Sequence, residues 1–371
     1  MSLSSSDNNV FGHVAPGWES VRTKFEQNLT DGHDIGASLC VYHLGECVVN
    51  LIGGWKDAKT KKEPYTPDTL QLIFSTSKGV AAAAAALCVE KGWLDYQAPV
   101  AKYWPEFGVN GKESILVGDL LSHRAGLPGV DQQLTVNDVF DWGRITSLLA
   151  EQRPYWKPGS THGYHAYTSG FLAGELIQRV DPYHRSYSQF VRDELDPEFY
   201  VGVSDDKVEA RIAPLLIKEG TGLASLPQMD HLTEKSMTCS GAFPLKVPNS
   251  GEFVFNQPRV HQAVIPAANG ISNAHSLARI YALLIGDVNE NSNTTACLLR
   301  KKTLQLATEN VTPPNEHDQA LFGLMTKFSR GGFEVHGDFF NVLGEDGFGH
   351  KGEVSRDLLF YNYLAFNCES F

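Results

Sequence analysis

Ser75 and Lys78 stand three residues apart in Leu72-Ile73-Phe74-Ser75-Thr76-Ser77-Lys78-Gly79-Val80. Six alanines and Leu87 follow, a run of the highest helix propensity. Lys91 and Gly92 supply a basic last turn and a stop. A helix that starts near Ser75 carries Ser75 and Lys78 on one face. A serine at a helix start sits among free backbone N–H groups, at the dipole end that favours a forming oxyanion. Its hydroxyl becomes a useful nucleophile only when a neighbour takes its proton. A lysine can do so only while neutral, and burial among alanine, valine and leucine lowers its pKa. The chemistry on offer is therefore that of a nucleophile–base pair.

Spacing alone does not single out this pair, since about one chance match is expected in a chain this long. Ser204-Asp205-Asp206-Lys207 is a second match. Two carboxylates flank that lysine and hold it protonated, so it reads as a surface turn. The apolar setting selects Ser75. Gly347-x-Gly349-x-x-Gly352 fits a dinucleotide fingerprint. It lies too near the C-terminal end for the rest of a βαβ unit. Gly270-Ile271-Ser272-Asn273-Ala274 is a near miss for the Gly-x-Ser-x-Gly elbow. No Walker A loop and no His-Glu-x-x-His helix occur. His123, after a helix predicted over Val117 to Ser122, reads as a helix C-terminal cap.

The 371 residues allow one large domain or two. A net charge of −12 argues against nucleic acid and acidic membrane surfaces as partners. Cys40, Cys47, Cys88, Cys239, Cys297 and Cys368 include no Cys-x-x-Cys and no close metal-type pair. They read as reduced thiols of a cytoplasmic protein that needs no metal and no cofactor. Met1 to Asn9 lacks a secretory leader's features, and no apolar run reaches membrane-spanning length.

Periodicity predicts the elements that position the pair. Residues 1–14 read as disordered. Trp18 to Leu29 has helical spacing. Gly36 to Tyr42 and Cys47 to Ile52 read as strands joined by a hairpin at His43 to Glu46, after which Gly53-Gly54-Trp55 leaves the sheet. The loop Trp156 to Tyr167 leads into a helix over Gly170 to Val180. Residues 182–262 show no clear pattern. Ala274 to Ile285 is amphipathic and helical. Leu321 to Phe328 and Gly332 to Phe340 read as strands.

Three segments then line up in order: Ser75-x-x-Lys78, Tyr164-His165-Ala166 and His350-Lys351-Gly352. Together with "LLSHRAGLP", "WKPGSTHGYHAYTSG" and "IPAANGISNAHSLAR", they make residues 15–352 resemble the class C β-lactamase-related serine hydrolases. The likeness is narrower to their esterase-like and animal β-lactamase-domain branches. The resemblance implies an α+β fold of the β-lactamase/transpeptidase type. An antiparallel sheet would come from both chain ends (15–105 and 265–352) and be flanked by helices. A mostly helical region (106–264) would be inserted, with the site at the junction. It implies that Ser75 forms an acyl-enzyme, that Lys78 deprotonates it and that Tyr164 passes protons. His350, where many relatives carry lysine, would line the substrate site with Gly352. The backbone N–H groups of Ser75 and Glu353 would hold the oxyanion.

The implied activity is hydrolysis of carboxylic esters, small amides or lactones, on a small-molecule acyl substrate. Two departures bear on it. Ala166 replaces the amide of Tyr-x-Asn relatives, which favours esters or small peptides over β-lactams. Residues 353–371 do not follow the family's closing pattern. That suggests the product of an alternative or mis-spliced transcript, less stable and impaired, with the Glu353 carboxylate opposing an oxyanion. A catalytically dead binding or scaffold protein is the competing reading. A self-assembling structural protein is a third, and a homo-oligomer stays open.

Overall fold

A computed structural model of the chain describes residues 9–57, 60–216, 229–243, 253–337, 344 and 346–352. The chain opens with β1 (Phe11–Val14), α1 (Glu19–Thr30), β2 (Gly36–His43) and β3 (Glu46–Gly54). β2 and β3 pair antiparallel from Gly36↔Gly54 to His43↔Glu46. The hairpin turns at Leu44 and Gly45, with φ of 50° and 80°, the left-handed pair that a two-residue turn demands. β1 lies antiparallel on β3, Phe11 opposite Ile52. Alternation then divides the strands between two layers. Leu39, Val41, Val49 and Leu51 pack against α1 through Phe25.

β4 (Gln71–Leu72) leads into α2 (Thr76–Glu90). Among the described residues, eight α-helices follow before the next strand: α3 (Val117–Leu121), α4 (Val136–Phe140), α5 (Trp142–Glu151), α6 (Thr168–Val180), α7 (Tyr187–Glu194), α8 (Asp206–Glu209), α9 (His231–Met237) and α10 (Pro258–Gln262). β5 (Ile271–Ser272) returns to pair antiparallel with β4. α11 (Ala274–Ile285) lies across the other face of the sheet, where Ala278, Ala282 and Leu283 meet Cys40 and Tyr42. The described part closes with β6 (Val288–Glu290), β7 (Asn293–Thr295), α12 (Lys301–Thr308), β8 (Glu334–Val335) and β9 (Phe348–Gly349). β8 and β9 pair antiparallel, Val335 opposite Phe348.

α2 is the hub. Every residue from Thr76 to Cys88 is buried. A helix without a wet face must run through the interior. Its alanines let α6, α7, α11 and α12 all close on it.

The fold is the α+β arrangement that the resemblance implied, and the structure corrects several details. Phe11–Val14 is a paired strand where disorder was expected. Gly53 and Gly54 stay in β3. The sheet is not wholly antiparallel, because β6 joins β3 in parallel at Glu46↔Asn289. Leu321 to Phe328 is not a strand. Phe322 and Gly323 take φ of 54° and 67°, and the Leu324 N–H and C=O close a turn with Leu321 and Asp318. Of Gly332 to Phe340 only Glu334–Val335 is strand, and residues 338–340 lie outside the described ones. Across the β2–β3 pair the free thiols of Cys40 and Cys47 stand with their Sγ atoms 3.7 Å apart. Glu353 and the tail to Phe371 lie outside the described residues.

Candidate active site

Ser75 is the N-cap of α2. The residue before it, Phe74, has φ of 46°, an uncommon conformation for an aromatic residue and a cost of about 1–3 kcal/mol. Its neighbours hold it there. The ring packs edge-on to Phe255 at 5.3 Å and tilted to Phe253 at 6.1 Å. The Phe74 carbonyl accepts from both the N–H and the hydroxyl of Ser77. Ser77 Oγ in turn accepts the Gly270 N–H at 3.0 Å. The sharp corner sets Ser75 at the wall of a cavity while the helix behind it stays buried.

Lys78 is 4% exposed. Its Nζ lies 3.0 Å from Ser75 Oγ and donates to the Ala267 carbonyl at 2.9 Å. It also stands 4.8 Å from the Tyr164 ring centre. The Tyr164 hydroxyl lies 2.9 Å from Ser75 Oγ. The three groups, 89 residues apart at the extremes, therefore meet on one oxygen. The other Ser-x-x-Lys match does none of this. Asp205 caps the short exposed helix α8, and Lys207 sits on it.

Tyr164 is held on all sides. Its N–H donates to Asp318 Oδ1 at 2.8 Å, and its carbonyl accepts from the Ser236 hydroxyl. Phe328 stacks on its ring at 6.0 Å, and His123 packs at 5.2 Å. His123 is not a solvated helix cap. It is buried with φ of 63°, and its Nδ1 accepts the His165 N–H at 3.1 Å. Burial, then the neighbouring His165, Lys78 and other histidines, hold its pKa well below the usual histidine value.

Behind Tyr164 lies a buried polar chain that sequence reasoning missed. Arg124 pairs with Glu316 at 2.7 Å, and Glu316 with His162 Nδ1 at 2.6 Å. His162 Nε2 meets Thr326 Oγ1 at 2.9 Å, and that hydroxyl donates to Asp318 Oδ2 at 2.7 Å. The links from Arg124 and His162 to Glu316 and Thr326 span 154 to 192 positions along the chain, so no spacing pattern announces them.

The cavity beside Ser75 has a volume of about 190 Å³. Tyr164, Met237, Leu321, Phe328, Glu334 and His350 are among its walls. His350 comes from the end of β9, and Glu334 from β8. His350 Nδ1 lies 2.9 Å from the Lys351 carbonyl. Burial, then the cations of Lys78 and Lys351, push the His350 pKa down to about 3. Burial pushes Glu334 up to about 7, against the opposing pull of Lys351. A Cβ added at Gly352 would fall 2.7 Å from the Ile73 carbonyl oxygen, so only glycine lets this backbone lie against the start of α2. The structure thus brings Ser75, Lys78, Tyr164, His350 and Gly352 together. Among the described residues, no cluster of three or more His, Cys, Asp or Glu is placed to hold a metal. No described helix is long and apolar enough to cross a membrane.

Known proteins share this architecture. The beta-lactamase family profile matches residues 21–369, a stretch that runs past Gly352 into the tail. The chain is 30% identical over 288 residues to the esterase/beta-lactamase LipL of Mycobacterium tuberculosis. That match takes in 74% of this chain but only 64% of LipL, so the chain spans less than two thirds of that relative. The crystal structure of a family VIII carboxylesterase superposes with a TM-score of 0.79 at 30% identity, covering 92% of this chain and 88% of the other. EstA from Arthrobacter nitroguajacolicus Rue61a gives a TM-score of 0.78 at 32% identity, covering 92% and 86%. By fold and by sequence along nearly its whole length, this chain belongs to the beta-lactamase family.

Proposed function

We propose that this protein is a serine hydrolase that cleaves carboxylic esters through an acyl-enzyme on Ser75. The observation that carries this reading is the convergence of Lys78 Nζ and the Tyr164 hydroxyl on Ser75 Oγ, at 3.0 and 2.9 Å. An ammonium at that distance donates to Ser75 Oγ, whereas a neutral amine accepts its proton. The buried position of Lys78 lowers the cost of the neutral form. Ser75 Oγ then attacks the ester carbonyl carbon. The Ser75 N–H, at the start of α2, stabilises the tetrahedral oxyanion. Collapse expels the alcohol, which takes a proton from the Tyr164 hydroxyl, and Lys78 returns one to Tyr164. Water enters by the reverse route, releasing the acid and restoring Ser75.

The likeness to a family VIII carboxylesterase supports esters as the substrate class, as does Ala166 in place of an amide. The test is fluorophosphonate labelling and 4-nitrophenyl butyrate turnover, with a chromogenic cephalosporin for comparison. The wild type is expected to label and to hydrolyse the ester in preference to the cephalosporin. Ser75→Ala and Lys78→Ala are expected to lose both. A wild-type protein that neither labels nor turns over would leave only a binding role for this fold.

A further inference from the structure

The cavity wall next to Ser75 holds a polar atom whose chemistry the reaction scheme does not use. His350 is 3% exposed, and its Nε2 is buried without a hydrogen-bond partner among the described residues. The other nitrogen fixes its character. Nδ1 lies 2.9 Å from the Lys351 carbonyl, and a carbonyl only accepts, so Nδ1 carries the hydrogen. In a neutral ring Nε2 is then a lone pair, an acceptor and not a donor. The ring stays neutral because burial and the facing cations depress its pKa to about 3. No described residue donates to it. Tyr164 and Phe328 present ring faces to it, with centres 6.0 and 6.4 Å away. Glu334 lies 4.0 Å from Nδ1, on the side of the nitrogen that is already bonded, and the Lys351 ammonium is taken up by Glu334 Oε1 at 3.5 Å.

A desolvated acceptor is costly until something donates to it. A carboxylate would bring only further acceptors. We infer that the Ser75 site selects uncharged acyl esters that carry a hydroxyl or amide N–H, which they donate to His350 Nε2. It discriminates against acyl groups that carry a carboxylate. This substrate class rests on the reading of Ser75 as the acyl-accepting nucleophile. A lysine in the place of His350 would reverse the choice, because an ammonium donates and attracts anions.

The experiment compares kcat/KM for four 4-nitrophenyl esters: butyrate, 3-hydroxybutyrate, N-acetylglycinate and the hemisuccinate. Each ratio to butyrate is divided by the same ratio in His350→Leu, which cancels the esters' intrinsic reactivities. The donor-bearing esters are expected to be favoured about tenfold by the wild type, the worth of one hydrogen bond in a dry site. His350→Gln, whose amide oxygen also accepts, is expected to keep much of that preference. His350→Lys is expected to move it to the hemisuccinate. Equal ratios in the wild type and His350→Leu would overturn the inference.

If no ester is turned over and Ser75 resists fluorophosphonate, the hydrolase reading fails by itself. Calorimetric binding of 3-hydroxybutanamide and butanamide to Ser75→Ala protein then decides the selectivity. About tenfold tighter binding of the hydroxylated amide supports it. Equal or undetectable binding of the two overturns it.

Discussion

Replacing Gly79 with alanine sets two effects of opposite sign against each other. In an exposed helix the change would add about 1 kcal/mol of stability, because glycine is the poorer helix former. Here the new Cβ would lie 1.9 Å from Tyr281 Oη, about 1.5 Å short of the 3.4 Å at which ordinary contact begins. Tyr281 is fully buried and is packed against Phe333 and Phe348, so its ring cannot swing aside. α2 and α11 must therefore move apart by about an ångström, at a typical overpacking cost of about 1–3 kcal/mol. The clash wins, and Gly79→Ala is expected to be less stable than the wild type in urea unfolding. Lys78 is the adjacent residue and His350 Cβ is 3.3 Å from the same point. A shift of that size at a reacting group can cost on the order of 100-fold in rate, so ester turnover should fall more than stability alone explains. Adding Tyr281→Phe removes the overlapping oxygen and should restore much of both, less whatever the hydroxyl's own contacts contribute. A Gly79→Ala protein as stable as the wild type, or more so, would refute the reasoning.

Lys78→Ala should lower kcat/KM for an ester by roughly 10²–10⁴-fold, the usual worth of a positioned acid–base group, while far-ultraviolet circular dichroism shows a retained fold. Asp318→Asn weakens the hold on the Tyr164 and Ala320 N–H groups and the Thr326 hydroxyl. It should cost about 1–3 kcal/mol in chemical denaturation, with a fall in kcat as Tyr164 loses its fixed position. The buried histidines predict acid lability. His123, His165 and His350 have depressed folded pKa values, so each contributes stability that is present above the unfolded value near 6.5 and lost as pH falls. Glu334, raised to about 7, acts oppositely, its contribution being lost as pH rises from its unfolded value of 4.5 towards 7. Three protons taken up on unfolding outweigh one released. Stability should drop by roughly 2–3 kcal/mol per unit between pH 6 and 5. Urea titrations at pH 7, 6 and 5 check this, and a flat response would contradict neutral buried histidines.

What could be read in advance follows from how local each cause is. The alanine run, the period of Ala274 to Ile285 and the turn at Leu44-Gly45 are written in neighbouring residues, and α2, α11 and the β2–β3 hairpin lie where those signals put them. Ser75 and Lys78 were visible because one helical turn joins them. Tyr164 and His350 came only from resemblance, since no local rule couples residues so far apart. The left-handed Phe74 gave no sign of itself, because glycine would have announced the corner and an aromatic residue does not. Its cause lies in Phe253, Phe255 and Ser77, which clamp it. The chain from Arg124 through Glu316 and His162 to Asp318 was hidden for the same reason. Leu321 to Phe328 looked like a strand because its apolar residues suit one. They pack instead around Tyr164, where Leu321 and Phe328 join one cluster.

The burial of α2 on every side has a consequence for how the molecule opens. No solvent-facing flank exists along Thr76 to Cys88 from which fraying could begin, and four helices must leave before its amides meet water. In a hydrogen–deuterium exchange experiment the amides of Val80 to Cys88 should be among the last to exchange, at the free energy of global unfolding. The nucleophile would then be anchored to the segment that yields last, whereas the loop from Leu321 to Phe328, which walls the cavity with few backbone bonds, would exchange early and govern access to it.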